Sequence, residues 1–216
     1  MIRIGVTGTD TGIGKTVVSR SIVAALRARL ARVAAMKPVE SGGTADAEAL
    51  WRAAGTLYSM ELVCPVSLAE PLAPLVAARR ANTGVDVAVL DAAFATLSTD
   101  SDAIVVEGAG GLLVPITEQE SFATLFRRWD LDLVIVAPNR LGTINHTLLT
   151  VRVARECGLH VRAVVLNTMT DQPDGTPERT NPELLEELLP DIRIVPFPFT
   201  ESPDDASNMS LTSLGF

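Results

Sequence analysis

The residues best suited to chemistry stand near the N-terminus, in Gly8-Thr9-Asp10-Thr11-Gly12-Ile13-Gly14-Lys15-Thr16. This run follows the apolar stretch Ile2 to Val6 and leads into a helix-forming segment, the strand–loop–helix setting of a phosphate-binding loop. Small residues let backbone N–H groups turn inward on a phosphate at the positive end of the following helix. Gly12, Ile13, Gly14, Lys15, Thr16 and Val17 are therefore the expected nucleotide-binding residues. Lys15 is expected to reach the β- and γ-phosphates, and the Thr16 hydroxyl to sit on Mg²⁺. The spacing departs from the usual pattern in one place: Thr9 stands where the first glycine belongs, and Gly8 comes one residue early. An ordinary strand–helix turn with a surface lysine is the bland alternative. The Gly-x-Gly-Lys-Thr ending after a strand favours a nucleoside triphosphate.

The other candidates close apolar runs or open helices. Glu107 follows Ile104–Val106, where a carboxylate can hold Mg²⁺ directly or through water. Its alternative is a cap for the next segment. Asp46 is a second candidate metal carboxylate, set against a helix N-cap. Lys37 ends a strand and precedes Pro38, so its direction is fixed by stiff backbone, and it can steady developing negative charge. His146 reads as a packed or capping histidine, and Glu183, Glu186 and Glu187 as a solvated helix face.

These residues need elements to position them, and the chain alternates strands with helices. Strands are expected at Ile2–Thr7, Arg32–Met36, Ala103–Val106, Leu133–Val136 and Val161–Leu166. Helices are expected after the phosphate loop and at Asp46–Ala54, Val85–Leu97, Phe122–Trp129 and Leu141–Cys157. Residues 55–82 are the least readable, because Pro65, Pro71 and Pro74 interrupt apolar pieces. Strands apolar throughout, each followed by a helix, imply a parallel sheet covered on both faces. The fold class is thus α/β, a single domain over residues 1–216 of the phosphate-loop NTPase type. In such sheets ligands bind beyond the carboxyl ends of the strands. Topology then gathers Lys15, Thr16, Lys37, Ser41, Glu107, Gly108, Asn139, Gly142 and Asn167.

Composition narrows the partners. A net charge of −8 without a Lys/Arg cluster argues against nucleic acid or an anionic membrane. Aromatics make up only 4%, too few for the stacking platforms that hold single strands. No apolar run is long enough to span a bilayer, and no secretory leader is readable, so a soluble cytoplasmic protein is expected. Cys64 and Cys157 read as buried free thiols. The last fifteen or so residues are polar and expected to be loose.

Five motifs occur in order: the phosphate loop, Lys37-Pro38-Val39-x-Ser41-Gly42, Ala69-Glu70-Pro71-x-x-Pro74, Val106-Glu107-Gly108-Ala109-Gly110-Gly111 and Leu141-Gly142-Thr143-Ile144-Asn145-His146-Thr147. Together they resemble the ATP-dependent dethiobiotin synthetases as far as about Thr170. The resemblance implies homodimers that use ATP and Mg²⁺ to join CO₂ to 7,8-diaminononanoate (diaminopelargonate). It implies Lys37 and Lys15 as catalytic lysines, and Thr16, Asp46 and Glu107 as metal ligands. Gly108, Ala109 and Gly110 would lie along the nucleotide, Asn167 would read the adenine, and Pro196, Phe197, Pro198 and Glu201 would line base and ribose. Ser41 would sit beside the substrate carbamate, with Gly142, Thr143, Ile144 and Asn145 holding the substrate's tail carboxylate across the dimer. Two departures stand out: the Ser41–Asp46 loop is shorter than the family's usual one, and an aromatic hydroxyl is absent around Thr180–Glu183.

Two rivals share the loop. A partition or septum-positioning ATPase would carry a lysine at the place of Asp10 and a basic or amphipathic surface. A cobyrinic-acid-type amidotransferase ligase would need a glutaminase domain, for which 216 residues leave no room.

Overall fold

A β-branched strand whose two edges are both occupied must be apolar on both faces, and β1 (Ile2–Gly8) lies at the centre of such a sheet. The computed structural model describes residues 1–171, 175–199 and 214. After β1 come α1 (Lys15–Arg27), β2 (Val33–Met36), β3 (Val39–Ser41), α2 (Ala45–Ala53), α3 (Met60–Val63) and β4 (Val66–Leu68). Next are α4 (Pro74–Arg80), α5 (Val87–Thr99), β5 (Ala103–Gly111), α6 (Phe122–Arg128) and β6 (Asp132–Pro138). The series ends with α7 (Thr143–Glu156), β7 (Val161–Asn167), α8 (Thr176–Leu188) and β8 (Arg193–Phe197). Six strands form one sheet in the order β2-β5-β1-β6-β7-β8, and every pairing is parallel.

Side chains alternate across the sheet and build two cores. Ile4, Val6, Val105, Val134 and Val136 face α1 and α2, where Val18, Ile22, Leu26 and Leu50 meet them. Ile104, Val106, Ile135 and Leu166 face the other way, against α5, α6, α7 and α8. On α5 the buried residues Leu90, Ala93, Phe94 and Leu97 recur at helical spacing, and Asp86 caps the helix by accepting from the Ala88 N–H. Phe94 stacks on Trp129 with ring centroids 4.4 Å apart, and the Trp129 indole N–H donates to Asp91.

The unreadable stretch holds α3, β4 and α4. Strand β4 pairs with β3 in a separate two-stranded parallel sheet. Three-residue strands carry no measurable period, which is why sequence pattern misses both. Pro74 opens α4, where its missing N–H is not needed. Strand β5 also runs further than the apolar pattern implies, through Glu107 and the glycines to Gly111, because Gly111 still pairs with Gly8. The two thiols are free but only half-buried, contrary to expectation, since each sits at the C-terminal end of a helix. His146 is exposed on α7. No helix among the described residues is long and apolar enough to cross a membrane.

Candidate active site

The phosphate loop joins β1 to α1. A Cβ on Gly8 would meet the Asp10 carbonyl at 2.7 Å and Ile13 Cδ1 at 2.9 Å, so the loop folds back onto Gly8. That contact explains why the glycine comes one residue early. Thr9 then leaves the strand, its N–H donating to the Val136 carbonyl. Gly14 caps α1 with φ of 85°, which an L side chain adopts only with strain. A Cβ there would also overlap the Asn167 amide, whose Nδ2 donates to the Ile13 carbonyl at 2.9 Å. Strand β7 thereby holds the loop from the side. Residues 12–17 line a cavity of about 750 Å³, into which the first N–H groups of α1 open. Lys15 is nearly buried, and its ammonium donates to the Asp10 carbonyl at 3.0 Å.

Lys37 is the pivot of the same cavity. It is 2% exposed, and Nζ donates to Glu107 Oε1 at 2.5 Å, Asp46 Oδ2 at 3.0 Å and the Gly108 carbonyl at 3.3 Å. An ammonium has three protons, and all three are used. The Thr16 hydroxyl donates to Glu107 Oε1 at 2.9 Å. Glu107 is fully buried, and its Oε2 has no hydrogen-bond partner. A buried carboxylate oxygen left open in this way fits a cation or a water. Thr16, Asp46 and Glu107 form an all-oxygen donor set, the kind Mg²⁺ takes up together with phosphate and water oxygens.

The electrostatics follow from this crowding. Burial disfavours the Lys37 ammonium, but Glu107 and Asp46 beside it outweigh that and raise its pKa. Lys15 shifts the other way, lowered by burial and by repulsion from Lys37. Burial opposes ionisation of Asp46, yet the Lys37 charge and hydrogen bond carry its carboxyl below the ordinary value. Glu40 is raised, chiefly by burial.

Ser41, at the end of β3, lines the cavity with a buried hydroxyl that has no partner. Ala109 and Gly110 line it too, whereas Gly108 backs onto Phe122 and Phe126. Gly142 to Asn145 open α7 away from this cavity: Thr143 is buried with an unpartnered hydroxyl, and Asn145 is exposed. Phe197 packs into the core beside Asn167, while Pro196 and Pro198 are exposed. Glu201 lies outside the described residues. A smaller cavity of about 270 Å³ adjoins the loop, bounded by Thr11, Asn139, Thr168 and Glu178. Sequence reasoning does not single out Glu40 or Met169, both of which line the main cavity. Glu40 carries one usable signal, a carboxylate inside a motif otherwise apolar, small or basic.

The Asp46 shift has a direct consequence for stability. A carboxyl held below 3.8 adds stability that is complete above that value and is lost as pH falls through the lower folded value. The stability gap between wild type and Asp46→Asn, from urea unfolding, should be steady from roughly pH 5 to 8 and close in stronger acid. A gap that persists unchanged through the acid range would contradict the ion pair.

Comparison with known proteins agrees with this geometry. A family model described as "AAA domain" matches residues 3–196. The chain is 44% identical over 173 residues to the ATP-dependent dethiobiotin synthetase BioD of Anaeromyxobacter dehalogenans strain 2CP-C, covering 78% of each chain. It is 38% identical over 198 residues to the BioD of Bacillus velezensis, covering 88% of this chain and 84% of the relative. Among solved structures it resembles a ParA family ATPase from Chlorobium tepidum TLS, with a TM-score of 0.55 and 14% identity over 100% of this chain and 92% of that one. That likeness shows the fold alone. Identity of this extent, over most of both chains, places the protein in the family of ATP-dependent dethiobiotin synthetases.

Proposed function

We propose that this protein synthesises dethiobiotin, a step of biotin synthesis, from 7,8-diaminononanoate and CO₂ with conversion of ATP to ADP and phosphate. The observation that carries the reading is the meeting, in one cavity, of a phosphate loop, Lys37 between two carboxylates, and the open Ser41 hydroxyl. Membership of the family supports it. A partition-type switch shares the fold, but Asp10 and the net charge of −8 speak against it.

ATP would lay its phosphates along the backbone N–H groups of residues 12–17, with Lys15 against the β- and γ-oxygens. Mg²⁺, held by Thr16, Asp46 and Glu107, would neutralise charge on the transferring oxygens. One amine of the substrate captures CO₂ and loses a proton, giving a carbamate beside Ser41. Lys37 and Lys15, both buried at the cavity wall, stabilise that anion. The carbamate oxygen attacks the γ-phosphorus, and the bond to ADP breaks. The second amine attacks the carbonyl carbon of this carbamic–phosphoric anhydride. Phosphate leaves, a second proton is lost and the cyclic urea closes. No step needs a covalent bond to the enzyme, so positioning and charge suffice. Lys37 must turn from its carboxylates toward the carbamate, a motion its long flexible stem permits.

The dimer enters through the substrate's tail. The α7 start does not line the cavity that holds Lys37; the Thr143 N–H donates to the Arg140 carbonyl, and the N–H groups of Ile144 and Asn145 after it suit a carboxylate. A partner copy would bring this seat over the cavity, using the exposed Leu113, Leu141 and Leu149 as apolar contact. The enzyme would act in the cytoplasm, where ATP and Mg²⁺ are abundant.

Phosphate release from ATP should require the diamine and bicarbonate together. Lys37→Gln should lower kcat by about 10²–10³ with nucleotide affinity little changed. Release that is equally fast without diamine would overturn the reading in favour of a switch ATPase. The shared site has its own test. Asn145 is exposed, so Asn145→Glu places a repelling charge on the tail seat without burying it. Mixing Asn145→Glu with Lys37→Gln subunits should restore roughly a quarter of wild-type activity, because half the dimers are mixed and each holds one intact site. No recovery after demonstrated subunit exchange would put both residues on one chain's site.

A further inference from the structure

The turn from β3 to α2 is short: Gly42, Gly43 and Thr44 carry the chain from Ser41 to Ala45. Gly42 and Gly43 have φ of 90° and 130°, and a Cβ on Gly42 would press on Pro71 at 2.8 Å. The turn therefore delivers α2 at the cavity wall but leaves its first N–H groups in need of acceptors. Thr44 stands at the N-cap and does not cap; its hydroxyl donates to Glu48 Oε1 at 2.8 Å instead. The cap comes from the strand before the turn. Glu40 Oε1 accepts from the Asp46 N–H at 2.9 Å, and Oε2 accepts from the Ala47 N–H at 2.8 Å. Glu40 is 7% exposed, and burial of a carboxylate is tolerated when both oxygens are hydrogen-bonded at the positive end of a helix.

We propose that Glu40 is the positioning residue of the cation seat, aiming the Asp46 carboxylate at Lys37, Thr16 and Glu107 by holding the Asp46 backbone. The Asp46 side chain is 46% exposed, so packing does not fix it. Besides the Lys37 ammonium at 3.0 Å, its place depends on its main chain, and that is what Glu40 grips. The short loop makes this grip necessary, because two glycines bring Asp46 within reach but do not orient it. The proposal rests on the reading of Asp46 as a metal ligand.

The test uses Mn²⁺ in place of Mg²⁺, with free Mn²⁺ read by electron paramagnetic resonance, on the full chain with a non-hydrolysable ATP analogue. Wild type, Asp46→Asn, Glu40→Gln, Glu40→Ala and the Glu40→Ala/Asp46→Asn double variant are compared, with a thermal melt of each. Glu40→Ala should weaken Mn²⁺ binding about tenfold or more, the usual effect of removing a residue that orients a metal ligand. Glu40→Gln keeps one acceptor oxygen and should fall between; it also serves if the alanine variant does not fold. The double variant should bind Mn²⁺ no more weakly than Asp46→Asn alone, because both losses act through one carboxylate. Weakening by Asp46→Asn without weakening by either Glu40 variant would reduce Glu40 to a helix cap and overturn the proposal, as would losses that add. Unchanged Mn²⁺ affinity in Asp46→Asn would instead overturn the metal seat itself.

Discussion

The structure depends on the pairing of Lys37 with Glu107 beneath the cavity floor. Neither charge could be buried alone, since removing one partner of such a pair leaves an uncompensated charge that costs about 3–5 kcal/mol. At 2.5 Å each takes the place of the other's water. Strand register makes the contact unavoidable. Met36 on β2 lies opposite Val106 on β5, so the next residues on both strands, Lys37 and Glu107, emerge side by side. Beyond Met36 the chain turns off the sheet, and the Lys37 N–H donates to the Val63 carbonyl. The side chain is left reaching back across the strand end.

The same register ties this pair to the phosphate loop. Glu107 lies opposite Val6, two residues before Gly8, which sets its carboxylate under the first turn of α1, where Thr16 meets it. Asn167 braces the loop from β7, and Asn139 at the end of β6 binds α8 through the Glu178 carbonyl and Asn181. Parallel strands therefore fix one loop and one ion pair through contacts such as Thr16–Glu107, Lys37–Glu107 and Ile13–Asn167, whose partners lie far apart in sequence. Rigid strand ends suit a reaction whose catalysis is positioning and charge stabilisation.

Much of this architecture is legible in the amino-acid sequence. Runs such as Ala103–Val106 and Leu133–Val136 are apolar throughout, and only a doubly covered parallel strand needs that pattern. Lys15, Thr16, Lys37, Asp46 and Glu107 stand out by residue type at the ends of strands and the starts of helices; the structure brings the first four to one cavity and sets Glu107 behind its wall, bonded to Lys37 and Thr16. The illegible parts share a physical cause, which is contact across long sequence separations by very short elements. Strands β3 and β4 have three residues each, and their pairing across residues 42–65 leaves no local period. Asn167 bracing Ile13 joins positions 154 apart, a contact that leaves no local signal in the sequence. Glu40 escapes sequence reasoning because a carboxylate in a motif invites a ligand role, whereas here both oxygens serve the backbone of a neighbouring helix.

In the proposed reaction the γ-phosphoryl group of ATP passes to a carbamate rather than to water. Oxygen bookkeeping decides it. Bicarbonate labelled with ¹⁸O in every position is supplied with unlabelled ATP, Mg²⁺ and the diamine, and the reaction is stopped before the label exchanges with solvent. The carbamate oxygen that attacks phosphorus must leave with the phosphate when the ring closes, while the other stays in the ring carbonyl. The released phosphate should therefore carry one ¹⁸O per molecule. Phosphate that carries solvent oxygen and no label would mean that water is the nucleophile, and the account would fail.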